Sequence, residues 1–458
     1  MTRLLKMMLV VVFVLSSFPL GKSKSIYANE PQEQLLKTPE ERGMLPRTTI
    51  EESELARKLM NMSDAQLRKL EEGKERGLLE LRPVVLPEEK YILDENDHFG
   101  WPVATRAGDA LVVIYLRRKC HYGETPRFNQ DSSGCMMTRS LDGGQSWSLP
   151  RDLREFARQE DGSLPFYSKG ECITTTSDGA IVLGHEVGTF RSEDQGVTWE
   201  HFDYQFGRTL VKGHKKGKGE RTTLNCPRLL EHPEYGLVRM AGIKISWIGY
   251  LEFGDKMHVA YSQDGGRTWQ EQKHKVPITA PSEPAMLLHN GALIMIGRAN
   301  GHRGSASGKY VQLWSKTGWF PLHAEITDMR VDTLDTVDIA LNPVTQRFEV
   351  VATNRSGGGE GRTQDANFTL NLYSIDPEAL LSGSADWRFE GSLFERRVRF
   401  RSGKSQFGDG CHPAASVIDE KEGVQHIFVY MGRQTGPSGI FHLTRTLDTP
   451  KLAAFLKN

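Results

Sequence analysis

The spacing of hydrophobic and polar positions changes along the 458-residue chain, and each change predicts a different kind of segment. A basic opening, Met-Thr-Arg-Leu-Leu-Lys, leads into an apolar run from Met7 to Leu20 and then Ser, Lys and Gly. That order is the order of a secretory signal peptide, here 1–28 with cleavage near Ala28, and it predicts export. The run is too short to span a bilayer comfortably, which argues against an anchor. Residues 29–50 are polar, and 51–78, rich in Glu, Leu, Lys and Arg, predict a surface helix. Together they form an N-terminal segment over 29–80, ahead of a domain over 81–450. From Leu81 onward the pattern turns to short apolar runs separated by Gly, Asp and Asn, such as Ala110–Tyr115, Ala180–Gly184 and Ala292–Ile296. Runs of that length between turn residues predict strands.

The strand pattern repeats. Gly-Trp101-Pro, Asn-Cys226-Pro, Ser-Glu283-Pro and Cys411-His-Pro each precede a strand, and Glu-Cys172-Ile and Thr336-Val-Asp are looser copies. They start six units near 99, 171, 225, 282, 336 and 411, and 81–95 either adds a strand to the last unit or contributes to a seventh. A second motif occurs three times: Ser140-Leu-Asp142-Gly-Gly144-Gln-Ser-Trp147, Ser192-Glu-Asp194-Gln-Gly196-Val-Thr-Trp199 and Ser262-Gln-Asp264-Gly-Gly266-Arg-Thr-Trp269. The Asp can accept from backbone N–H groups of a tight turn, the Gly adopts angles other residues resist, and the Trp plugs the layer between sheets. This motif resembles the Asp-box of the sialidase-like β-propellers, which implies an all-β propeller with each unit one blade. The box closes an outer hairpin, so it speaks to fold and not to chemistry.

Composition adds little about partners. Lys plus Arg equal Asp plus Glu at 58 each, so no global charge points to nucleic acid or a membrane surface. Forty-five Gly and 21 Pro suit a turn-rich β protein. Five cysteines are an odd number for an exported chain.

Chemistry in a propeller sits where inner strands and inter-blade loops ring a funnel. A sialidase would place its first arginine beside the first inner-strand proline, and this chain has Gly100-Trp101-Pro102 there. A bidentate guanidinium clamp is hard to replace. His98 stands just before, and the next strand ends in Arg117-Arg118-Lys119-Cys120-His121. Two histidines beside arginines suit removal of the C5 proton of a uronic acid with expulsion of the 4-linked sugar. That β-elimination needs a cation on the carboxylate, a base near working pH and a proton for the leaving oxygen. Each histidine taken singly is also explained as a satisfied structural residue. An insertion over 208–221 holds Arg208, Lys212, His214, Lys215, Lys216, Lys218 and Arg221 with a single acid. It suits an anionic polysaccharide, or it is a solvated loop. Tyr204 precedes it, and Tyr167 is a rival tyrosine.

The leader, the Asp-boxes, the His-Phe-Gly-Trp-Pro opening and a second histidine after an Arg-rich strand resemble the propeller-type ulvan lyases, a group of polysaccharide lyases, over roughly 80–447. The resemblance implies seven blades, a structural metal, and catalysis by paired histidines, a tyrosine and an arginine: His98 and His121 by position, Tyr204 and Arg221 by order and approximate spacing. Arg117, Arg118, Lys212 and Lys215 would then bind substrate. Cys172, Cys226 and Cys411 occupy equivalent places in three units, and with His412 they would make a tetrahedral zinc site; buried free thiols are the alternative, and Cys120 with Cys135 could form a disulfide. The reading is an exported lyase cleaving ulvan, a polymer of sulfated rhamnose and uronic acid. The rivals are an exo-sialidase or related hydrolase drawing on Glu283, Arg298, Asp338 and Arg355, and a glycan-binding propeller without catalysis.

Overall fold

The computed structural model describes residues 44–46, 54–86, 98–118, 134–164, 172–185, 188–204, 220–222, 228–245, 252–275, 282–298, 309–315, 318–326, 337–356, 365–384, 386–399, 410–432 and 438–457. The leader and residues 29–43 lie outside them.

After β1 (Met44–Pro46) come α1 (Glu54–Met60), α2 (Asp64–Glu75) and β2 (Leu79–Val85). Six blades follow in chain order. Blade 1 holds β3 (His98–Ala107), β4 (Ala110–Arg118), β5 (Gly134–Ser140), β6 (Ser146–Ser148) and β7 (Arg151–Asp152). Blade 2 holds β8 (Cys172–Thr175), β9 (Ile181–His185), β10 (Gly188–Ser192) and β11 (Glu200–Asp203). Blade 3 holds β12 (Glu220–Thr222), β13 (Leu230–His232), β14 (Gly236–Ile245), β15 (Glu252–Ser262) and β16 (Gln270–Lys275). Blade 4 holds β17 (Ser282–His289), β18 (Ala292–Arg298), β19 (Lys309–Ser315) and β20 (Gly318–Ile326). Blade 5 holds β21 (Val337–Asn342), β22 (Arg347–Ser356), β23 (Asp365–Ile375), α3 (Pro377–Leu381) and β24 (Arg388–Arg399). Blade 6 holds β25 (Gly410–Asp419), β26 (Val424–Gly432) and β27 (Ser438–Thr446), and α4 (Thr449–Leu456) follows it.

The innermost strands touch in succession. β3 lies against β8, Ile173 bridges to Arg228 ahead of β13, and β13 meets β17, β17 meets β21, and β21 meets β25. β25 then returns to β3, and Ser438 of β27 pairs in parallel with His98. The circuit is a propeller, and among the described residues it closes with six blades. The resemblance implied seven. The difference lies in β2, which does not start a blade of its own: it pairs antiparallel with β27 and supplies the fourth strand of blade 6.

The inner-strand prolines have a shared effect. The ladder shifts register between Gly100 and Val103, between Ser282 and Ala285, and between Pro413 and Ala415. Proline lacks the N–H a ladder needs, so these three copies of the motif bulge the strand at its funnel end. The Asp-boxes form the turns after β5, β10 and β15. In the second, Asp194 Oδ1 accepts from Thr198 N at 2.9 Å and Oδ2 from the Thr198 hydroxyl at 2.6 Å, while Ser192 Oγ accepts from Gly196 N at 2.8 Å. Trp147, Trp199 and Trp269 are all buried.

Where the sequence predicts one surface helix over 51–78, two helices form. Asn61 sits at φ 46°, which ends α1, and Ser63 caps α2 by accepting from Gln66 N. Nor do they merely ride on the surface. Ala56, Leu59, Met60 and Leu70 join Leu452, Phe455 and Leu456 of α4 in one core with blades 5 and 6. Arg396 of β24 is buried and donates to the carbonyl of Leu59 at 2.9 Å, satisfying a helix end.

A buried polar chain runs from α4 to the axis. Thr449 and Arg445 both donate to Glu349, and Arg445 Nε donates to Gln425 Oε1 at 2.6 Å. Gln425 donates to Ser416 Oγ at 2.8 Å, and the Ser416 hydroxyl donates to Asp338 Oδ2 at 2.6 Å. Arg228 Nη2, reaching from blade 3, donates to the same Asp338 oxygen at 2.9 Å. One arginine thus ties blade 3 to blades 5 and 6.

Candidate active site

His98 opens β3 at the end where the inner strand begins, and its cross-strand partner is Arg118, the last residue of β4. The imidazole is fully buried. Trp101 and Tyr430 flank it, with ring centroids at 5.9 and 6.0 Å, and the two flanking rings lie 5.4 Å apart. The Arg118 guanidinium stands over the Trp101 ring, 5.3 Å from its centroid. Arg117 pairs with Phe99 beside it. Ser438 of β27 donates to the Phe99 carbonyl at 2.5 Å and fixes the strand against blade 6.

The backbone here is unusual. Trp101 has φ 48°, in the left-handed region that costs a bulky residue about 1–3 kcal/mol. The Gly100–Val103 bulge produces that conformation and turns the indole toward His98 and Tyr430. Gly100 keeps the neighbourhood open: a Cβ there would stand 3.4 Å from His98 Nε2. Strain of this kind persists where surrounding structure holds a site in shape. A buried imidazole, a guanidinium and two aromatic rings thus meet at one end of β3 and β4.

A second group occupies the junction of blades 2 and 3. Tyr204 donates to Glu271 Oε1 at 3.1 Å and packs against a core that includes Cys172 and Leu229. Burial first, then the Glu271 charge and hydrogen bond, push the phenol well above its ordinary value, with Arg239 opposing. The phenol therefore holds its proton more tightly than a free tyrosine does. His185 ends β9 at the strand end corresponding to Arg118 in blade 1; its carbonyl accepts from buried Arg239 at 2.9 Å. Its Nε2 lies 3.2 Å from His201 Nε2, and the rings stack. Burial holds His185 well below the usual imidazole range, reinforced by His201 and Arg239. Burial also lowers His201, against the raising effect of Asp203. Sequence reasoning passed over His185; the signal was its place at the funnel end of a second strand.

The structure does not bring all the expected residues together. His98 belongs to the blade 6–blade 1 junction and Tyr204 to blades 2 and 3, and no contact among the described residues joins them. His121, Tyr167, Lys212, Lys215, Cys120 and Cys226 lie outside the described residues. Arg221, Glu283, Arg298, Arg355, Cys411 and His412 are placed only as backbone, in β12, β17, β18, β22 and β25. Cys172 is buried between blades 2 and 3, its thiol 3.9 Å from the Gly184 carbonyl and close to Arg239, a neighbour that disfavours a metal cation. Cys135 is likewise buried in the core between blades 1 and 2. Asp338, an element of the hydrolase alternative, is committed to the axis: it is buried and accepts from Ser416 and Arg228. No group of three metal-ligating side chains occurs among the described residues. No helix among them is long and apolar enough to cross a membrane.

Fold and boxes together define an Asp-box β-propeller. The BNR/Asp-box repeat family matches residues 260–271, the third box. No curated protein matches the sequence. Among solved structures, the chain is similar to a protein of unknown function from Dyadobacter fermentans, with TM-score 0.50 and 13% identity over 80% of this chain and 99% of that one. A Trypanosoma rangeli sialidase in complex with 2,3-difluoro-KDN aligns at TM-score 0.47 and 14% identity, over 79% of this chain and 54% of that one. A Penicillium chrysogenum α-L-arabinanase complexed with arabinobiose aligns at TM-score 0.35 and 15% identity, over 60% and 92%. At these identities the likeness concerns the fold.

Proposed function

We propose that the protein is an exported glycan-processing enzyme, and specifically a polysaccharide lyase that cleaves ulvan by β-elimination. The observation that carries the reading is His98, buried beside Trp101 in a left-handed conformation and opposite Arg118, at the place where a sialidase would hold its first arginine. In the reaction, an arginine (Arg221 by the resemblance) neutralises the uronate carboxylate and so acidifies the C5 proton. His98 or Tyr204, which belong to different blade junctions, removes that proton. Tyr204 or His121 protonates the departing O4. The C5–H electrons form the C4–C5 double bond as the C4–O4 bond breaks, so no redox partner is needed. Arg117, Arg118, Lys212 and Lys215 would hold the anionic chain.

Incubation with ulvan, followed by absorbance in the ultraviolet band of an unsaturated uronate, tests this. A rise supports the lyase; no rise together with cleavage of a sialyl reporter refutes it in favour of a hydrolase, and binding without product favours a glycan-binding module. His98→Ala should remove the rise, and full activity in that variant would move the site elsewhere. A structural zinc on Cys172, Cys226, Cys411 and His412 belongs to the same proposal. The equivalent places of the three cysteines in the repeated sequence motif favour it, and the burial of Cys172 beside Arg239 opposes it. Metal analysis of Cys226→Ser against the parent decides.

A further inference from the structure

His98 is fully buried, yet the proposed reaction needs its ring to meet a substrate. Two rings flank it. Tyr430 is fully buried on β26, whereas Trp101 is partly exposed. Among the described residues, Trp101 is thus the flanking ring that reaches the surface.

Trp101 is also the least secured part of β3. Gly100 pairs with Leu116 and Val103 with Ile114, and Trp101 and Pro102 fall in the register shift between them. On one side Phe99 is anchored by Ser438 and packs edge-on against Tyr115 at 5.6 Å. Among the described residues the non-glycine positions at positive φ are Asn61, Trp101, Gln195, Asn290 and Gln346, and of these only Trp101 lies within a strand. Its position therefore carries backbone strain that relaxation toward the extended region would relieve. Contacts of the indole oppose that relaxation: the Tyr430 ring at 5.4 Å, and the Arg118 guanidinium over the ring at 5.3 Å. Arg118 is itself partly exposed.

We propose that Trp101 is a gate over His98, latched by Arg118 and opened by a sugar that carries a carboxylate. The gate presupposes the lyase reading of this site and deepens it, because it makes a carboxylate the condition for reaching His98. A cation over an indole face is attracted by the ring quadrupole, whereas a carboxylate offers a guanidinium two parallel charge-assisted bonds. A ligand shifts a two-state element only through contacts that differ between the states. Here that contact is made by Arg118, over the indole when the gate is closed and on the carboxylate when it is open. A neutral sugar of the same shape makes no such exchange. The strain at Trp101 narrows the gap between the states, and the paired residues on either side confine the change to Trp101 and Pro102.

The test uses the full chain labelled with fluorotryptophan and followed by fluorine NMR. The Trp101 resonance is identified by its loss in Trp101→Phe. Methyl β-glucuronide should shift it and raise its response to heavy water toward that of an exposed indole; methyl β-glucoside should do neither. Arg118→Met should give the exposed signature without any ligand. Diethyl pyrocarbonate should then modify His98 at least about tenfold faster than in the parent, read by peptide mass spectrometry. No response to the glucuronide, an equal response to the glucoside, or an unchanged Trp101 and His98 in a folded Arg118→Met protein would each overturn the gate. If that variant fails to fold, the comparison of the two sugars on the unaltered sequence decides alone. None of these readouts needs turnover. A glucuronide response without an ultraviolet rise on ulvan leaves the gate standing and sinks the lyase, and a rise without the response does the reverse.

Discussion

The segment that follows the third strand is built in two ways, and the contrast between blades 1–3 and blades 5–6 shows how little separates them. In the first set an aspartate two residues after a serine folds its carboxylate back onto its own turn. Blades 5 and 6 begin identically, with Ser374-Ile-Asp376 and Thr446-Leu-Asp448. There the aspartate instead caps a helix: Asp376 accepts from Ala379 N at 3.0 Å and Asp448 from Lys451 N at 3.2 Å. The next residues decide. Gly196 and Gly266 take positive φ and close the loop, whereas Pro377 and Pro450 sit in the first helical turn, where a missing N–H is harmless. The box blades are then locked by neutral and singly charged turn bonds. Blade 6 adds a fully buried ion pair, Glu349 with Arg445.

That contrast can be broken at several points. The largest loss is expected from Arg445→Met, which strands Glu349 in the core and should cost about 3–5 kcal/mol in denaturant melts; replacing both partners by apolar residues should recover most of it. If the single variant is near neutral, the ion pair is not what secures blade 6. In the box blades, Asp194→Ala removes bonds to Ser192, Val197 and Thr198 and should cost about 2–3 kcal/mol. Mild acid should act first on blade 2; Asp142 and Asp264 of the boxes, held against burial below the usual carboxylate range by their turn bonds, lose their contribution only at lower pH. His185 and His201 resist protonation when folded, so the unfolded chain takes up the extra protons. Stability should be fully present above an unfolded pKa of about 6.5 and fall as pH drops below it, by about 1 kcal/mol for His185 over the next unit, with His201 adding in the same direction. A melting temperature flat from pH 7 to 5.5 would refute this, and His201→Gln should shrink the slope. The smallest effect is the helix cap: Asp448→Ala should cost about 1 kcal/mol.

Much of the architecture was legible because it repeats. Inner-strand prolines, apolar runs and boxes recur at blade spacing, and the fold follows from that recurrence. The two N-terminal helices were harder, because Asn61 breaks the pattern through its backbone angle and not its polarity. α3 and α4 were hidden because their capping aspartates look like box aspartates until the following proline is weighed. At the site, His98 was visible as a departure from a family pattern. Its pairing with Arg118 followed from strand order. The indole's turn toward His98 did not, since it depends on a bulge that only the ladder reveals. Asp338, one of the residues of the hydrolase alternative, shows why: an aspartate at the start of an inner strand serves an axial arginine equally well.

The pairing of β2 with β27 has a consequence for the order of events during synthesis. Glu80 and Thr444 meet across 364 residues of chain. At about 5–20 residues per second, β2 waits on the order of 20–70 s for its partner. Blades 1 to 5 can assemble in that interval, each from neighbouring strands. Blade 6 alone cannot, so an unsatisfied strand edge and the apolar faces of α1 and α2 persist until the chain is nearly complete. A ribosome-bound chain stopped short of β27 should expose that edge, and it is the stage at which this propeller is most open to a chaperone or to mispairing.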